Sequence, residues 1–151
     1  MKRELPVSHI YFVRGLTAKT DAEVIRALAG RLGSHVKASF AEAAVAREKR
    51  SPTGLPFPDV AVALPHAEPE HVESPALVVA SLEKPVRFRQ MGSPKVVLEV
   101  GLVVMPALTA KEQAAAGLAS LLTLLQDVEL RRALLAAETE AAMQAALGEP
   151  A

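Results

Sequence analysis

The stretch FPDVAVALPHAEPEHV (57–72) holds two of the chain's four histidines, His66 and His71, with Glu68 and Glu70 between them. Imidazole is the one side chain whose ordinary pKa lies near neutrality, so such a ring can serve as nucleophile, proton carrier or metal ligand. His66 follows a run of small and branched apolar residues and begins the loop that leaves a strand expected over 60–64. Catalytic groups gather where strands end, because the sheet fixes the backbone while the loop leaves the side chain reachable. Pro65 stiffens that position through its locked φ. The plain alternative is a hydrogen-bonded loop histidine, and position alone leaves both readings open.

A second group sharpens the chemistry. Arg47 lies 19 residues before His66, near the end of an expected helix and with no helix-face partner at i−4. The intervening loop and strand are long enough to fold back and bring its guanidinium to the ring. Arginine beside a neutral imidazole suits phosphoryl transfer: the nitrogen attacks phosphorus and the guanidinium fork donates to the equatorial oxygens. The structural alternative is a cation favouring the helix C-terminus, worth about 0.3–1 kcal/mol.

Other chemistries fit less well. HAEPEH (66–71) contains four potential metal ligands, but Pro69 breaks any helix that would put both rings on one face, and the His-Glu-x-x-His order is absent. There is no Gly-x-Ser-x-Gly elbow, Walker loop or dinucleotide fingerprint, and with no cysteine there are no thiolates or disulfides. His9 enters a strand and His35 follows a helix stop, so local hydrogen bonding is the expected role of each. Lys plus Arg and Asp plus Glu both number 17 in 151 residues, so there is no broad basic field for nucleic acid.

The elements that must position these groups read as one α/β domain spanning 1–151. HIYFVRG (9–15) is a strand closed by glycine. Three Ser/Thr-x-x-Glu capping boxes, Thr20 with Glu23, Ser39 with Glu42 and Thr109 with Glu112, announce helices. Gly33 stops the first and Pro52 the second; the third carries the stripe Leu118, Leu121, Leu122 and Leu125. Asp127 opens a further helix and 138–147 a last short one. The proline-rich 51–59 reads as loop, and 76–82, 86–90 and 95–105 as strands separated by turns at EKP and MGSP. The longest strand is apolar on nearly every residue, as expected where both sheet faces are covered. The order implies an α/β sandwich with a mixed sheet flanked by helices. The N-terminus lacks the pattern of a signal peptide and the longest apolar run, 100–108, is too short to cross a bilayer, so a cytoplasmic protein that does not span the membrane is expected.

AREKRSPTG leading into VAVALPHAE, followed by ASLEKPVRFRQMG, VVLEVGLVVM and KEQAAAGLASLLTLLQD, resembles the fructose/mannitol-type enzyme IIA domains of the bacterial sugar phosphotransferase system, with the galactitol-type members nearest. The resemblance implies that His66 accepts a phosphoryl group from the phosphocarrier HPr and passes it to a cysteine of a IIB partner during sugar or alditol uptake. It implies that Arg47, beside Glu48, stabilises that group, with no cofactor and no metal. Mannitol-type members carry a second histidine near the start of the helix after the last strand; here Gln113 and Ala114 stand there. Gln113 or His71 is a candidate substitute. Two other functions suit the same fold: a regulatory IIA-like protein whose phosphorylation state governs binding, and a binding module that is never phosphorylated.

Overall fold

The computed structural model describes residues 5–148. The expected domain span 1–151 and the reading of the N-terminus therefore rest partly on residues outside the described ones. The architecture is a five-stranded mixed sheet between two layers of helix. β1 (Ile10–Leu16) runs parallel to β4 (Ala76–Gln90), β4 antiparallel to β5 (Ser93–Ala107), β5 parallel to β3 (Ala61–Ala63), and β3 antiparallel to the two-residue β2 (Gly54–Leu55). A single pairing, Gly54 with Gln90, also joins β2 to β4.

Alternation along the strands divides the core. Val78, Ala80, Val103 and Met105 face α1 (Asp21–Leu32) and α2 (Phe40–Arg50), which contribute Ile25, Leu28 and Phe40. Leu77, Val79, Leu102 and Val104 face the opposite layer, built from α3 (Lys111–Leu124), α4 (Val128–Ala136) and α5 (Glu140–Leu147). Covering both faces explains why 100–107 is apolar throughout and buried. The first half of β5 departs from that expectation: it forms an exposed arm with β4, where Val96 and Val97 face solvent.

Several local expectations give way to tertiary partners. Thr20 caps α1 as anticipated, accepting from the Glu23 amide at 3.2 Å. Ser39 does not cap α2, because its backbone is already helical and its hydroxyl bonds the His71 ring, while Glu42 pairs with Arg26 across to α1. Thr109 does not cap α3 either; Ala110 holds the cap position and the Thr109 hydroxyl donates to Gln113. EKP is no turn: β4 is continuous, and residues 82–85 bulge opposite the single Gly101 of β5, which accommodates Pro85 without a ladder amide. Part of the 51–59 loop is recruited as β2.

Arg131 on α4 braces the segment entering β3. It is 4% exposed, grips Asp59 at 2.7 Å, donates to the Leu125 carbonyl at 2.7 Å and lies 4.2 Å over the Phe57 ring.

Two glycines are required to opposite degrees. A Cβ on Gly54 would stand 2.5 Å from the Arg89 carbonyl oxygen, a backbone atom that cannot swing aside, whereas a Cβ on Gly30 meets nothing within 4 Å. Gly54→Ala is expected to destabilise the fold by about 1–3 kcal/mol through overpacking. Gly30→Ala, inside α1, is expected to stabilise by roughly 0.5–1 kcal/mol. Urea midpoints of the two variants check both signs; equal midpoints would refute the contrast.

Candidate functional site

His66 stands three residues beyond the end of β3, half-buried between buried Pro65 and Ala67. Its two ring nitrogens face different partners. Nδ1 lies 2.8 Å from the Leu64 carbonyl oxygen, which can only accept, so Nδ1 carries the proton. Nε2 lies 3.0 Å from Arg47 Nε, which can only donate, so Nε2 presents its lone pair. The ring is thereby the neutral Nδ1–H tautomer. Burial is the main force lowering its pKa from the ordinary value of 6.5; Arg47 lowers it further, while the Leu64 bond and Glu68 act in the other direction.

Arg47 comes from the last turn of α2, which folds back over the loop as the 19-residue spacing allows. Its Nη1 reaches Glu68 at 3.4 Å, and Arg50 one turn on reaches the same carboxylate at 3.7 Å. Two cations and one carboxylate thus sit at the open side of the ring. All three are partly solvated, which screens their mutual attraction.

Beneath the ring is a buried polar chain. Glu48, 4% exposed, accepts from the Thr53 amide and from the Thr53 hydroxyl, both at 2.8 Å. Thr53 Oγ1 in turn accepts from the Leu64 amide at 3.0 Å. The signal for Glu48 was in the sequence: with Phe40, Ala44 and Val45 it lies on the buried stripe of α2, where an unpaired carboxylate does not belong. Thr53 and Arg50 carry no comparable local signal.

The other candidates lie apart. The His71 ring bonds Ser39 at 2.7 Å, at the start of α2, whereas Arg47 is eight residues along that helix, roughly 12 Å of rise. Gln113 is exposed in the first turn of α3 and takes a 3.4 Å bond from Thr109. Neither makes a hydrogen bond to His66 or Arg47 among the described residues. The four groups of HAEPEH do not converge, since both His66 nitrogens and His71 Nδ1 are already engaged; among the described residues no three His, Asp or Glu side chains are grouped to hold a metal ion. His35 is part of a local network, bonding Tyr11 and Ser74, each at 2.8 Å, with the His9 ring 5.1 Å away. No helix among the described residues is long and apolar enough to cross a membrane.

The site thus joins an α/β/α sandwich, a short strand that runs on into Pro-His, and an arginine folded onto the free ring nitrogen. Residues 7–149 match the family described as phosphoenolpyruvate-dependent sugar phosphotransferase system, EIIA 2, and the chain belongs to that family. Solved structures agree on the fold. Mannitol IIA from Escherichia coli is 25% identical over 91% of this chain and 95% of its own, with a TM-score of 0.72. The E. coli mannitol enzyme IIA determined in complex with phosphorylated mannitol enzyme IIB is 24% identical, covering 95% and 96% of the two chains, TM-score 0.71. Nitrogen regulatory protein IIA-Ntr from Neisseria meningitidis is 21% identical, covering 95% and 96%, TM-score 0.70. No curated protein sequence matches the chain.

The ring geometry generates its own test. In 15N NMR, Nδ1 of His66 should show the protonated and Nε2 the unprotonated shift near neutrality, with a titration midpoint below 6.5. Because the folded-state pKa is lowered, the unfolded chain binds the proton more readily. His66 therefore costs the fold stability as pH falls from 6.5 toward that lower midpoint, and costs nothing above 6.5. A midpoint at or above 6.5 would refute the lowered pKa, and a protonated Nε2 near neutrality would refute the tautomer.

Proposed function

We propose that this protein is a phosphoryl carrier, with His66 accepting the group on Nε2 from HPr and passing it to a cysteine of a IIB partner in sugar or alditol uptake. The observation that carries the proposal is the Nδ1–H bond to the Leu64 carbonyl, which leaves Nε2 unprotonated and facing Arg47. The Nε2 lone pair forms the new N–P bond as the bond from phosphorus to HPr breaks, and the departing electron pair stays with HPr. While Nδ1 keeps its proton, held by the Leu64 carbonyl, the phosphorylated ring is an imidazolium beside the phosphoryl dianion, and this positive charge makes the ring a good leaving group with high transfer potential. In the resting site Arg47 covers the lone pair; during transfer its guanidinium moves onto the phosphoryl oxygens, where it stabilises developing charge. Its bond to Glu68, with Arg50 alongside, keeps it near that position.

The family carries this reading at the level of a phosphotransferase component, and the similar mannitol IIA seen with phosphorylated IIB supports a IIB partner. The galactitol-type subgroup is supported by Gln113 in place of a ring at the start of α3. The likeness to a nitrogen regulatory IIA favours one second reading, in which the phosphorylation state governs binding to a target protein. A cytoplasmic location is part of this reading and fits membership of the family.

Incubation with phosphoenolpyruvate, enzyme I and HPr should add one phosphate to the intact mass. The adduct should survive base and fall off in acid, because protonating the ring makes it a good leaving group. His66→Ala should stay folded and gain nothing; a phosphorylated mutant would reject the site, and an unmodified wild type would favour the binding module. Arg47→Gln should slow transfer by about one to three orders of magnitude with little change in thermal midpoint. Arg47→Lys should recover only part, since an ammonium lacks the planar fork.

A further inference from the structure

The hydrogen bonds around His66 close into a circuit. Arg47 donates to Nε2, Nδ1 donates to Leu64, the Leu64 amide donates to Thr53, Thr53 donates to Glu48, and Glu48 is the chain neighbour of Arg47. One turn of α2 therefore meets the ring from both sides, directly at Nε2 and through three bonds at Nδ1. We propose that Glu48 and Thr53 are positioning residues, which hold the Leu64 carbonyl against Nδ1 and so keep His66 in the Nδ1–H tautomer that transfer requires. This rests on the carrier reading above.

The register explains why the clamp is needed. β2 and β3 pair Gly54 with Ala63 and Leu55 with Val62, so Thr53 falls opposite Leu64 just beyond the ladder. There the Thr53 side chain supplies the acceptor that a strand carbonyl no longer provides for the Leu64 amide. Leu64 is 1% exposed and Pro65 follows it, so with the amide tied down little freedom is left to the intervening carbonyl. Only an ionised Glu48 accepts from both Thr53 donors at once, yet burial is the main force raising its pKa. The sign is opposite to the usual carboxylate: the contribution of a raised pKa is fully present below the unfolded value and is lost as pH rises through the folded-state pKa. Using this side chain as a double acceptor thus works against its burial, as expected of a group retained for positioning.

The test is Thr53→Val, close in shape but without the hydroxyl, beside Thr53→Ser, which restores it. In the unphosphorylated protein Thr53→Val should mix the two ring tautomers in the His66 15N shifts. Its phosphoryl uptake should slow by about 10- to 100-fold, the scale of a misplaced reacting group. Thr53→Ser should return both readouts to near wild type. A folded Thr53→Val with wild-type ring shifts and rate overturns the proposal, as does a Thr53→Ser no better than Thr53→Val. Should Thr53→Val fail to fold, Glu48→Gln takes its place, with volume kept and charge removed. It should hold or raise the thermal midpoint while disturbing the ring shifts, and undisturbed shifts overturn the proposal. Because the shifts are read without any donor, a wild type that HPr fails to phosphorylate defeats the carrier reading and leaves the clamp separately tested.

Discussion

A neutral imidazole has one lone pair to offer, and which nitrogen offers it depends on where the single proton is held. Here the Leu64 carbonyl holds it at Nδ1, and the rest of the site follows from that bond. The strand must stop at Ala63 so that the chain can turn its carbonyl back on the ring two residues ahead. Burial must keep the ring uncharged, since a protonated Nε2 would meet Arg47 as one cation meets another and would carry no lone pair. The arginine must approach as a donor, which its Nε does.

The sandwich supplies what a loop alone lacks. β3 is only three residues long, yet it lies between β5 and β2, and the helices on both faces bury Val62, Ala63 and Leu64. The His66 backbone therefore inherits the rigidity of the core while the ring stays reachable. Arg47 and Glu48 come from α2, whose last turn reaches the residues just beyond the strand end. Adjacent residues on a helix point about 100° apart, so one can reach the solvated side of the ring while its neighbour faces the interior.

Signals of long range in composition and period were legible in the sequence: the sandwich and the strand that leads into Pro-His stand in the structure, while the 19-residue spacing only allowed the Arg47 to His66 contact that the fold makes. Short capping patterns were less dependable. Thr20 caps its helix, whereas Ser39 and Glu42 are drawn off by His71 and Arg26. A tertiary partner 16 or 32 residues away leaves no trace in a four-residue motif. The EKP segment misled for a related reason: proline signals a break in the ladder, and a bulge breaks the ladder as well as a turn does. Thr53 was invisible because its value lies in standing opposite Leu64, a fact of register.

The Arg131 brace ties the loop before β3 to a helix 72 residues further along the chain. Synthesis runs from the N-terminus, so a nascent chain that has already delivered Arg47, Glu48, Thr53 and His66 still lacks the residue that steadies the entry to their strand. The parallel pairing of β1 with β4 spans a similar stretch. Every group of the site is thus made early and assembled late, since closure of such distant contacts awaits the second half of the chain. A ribosome-bound fragment ending before α4 would expose the apolar face of β3 and β5 that α4 and α5 cover. The interval before release is when this chain is most open to aggregation and to capture by chaperones.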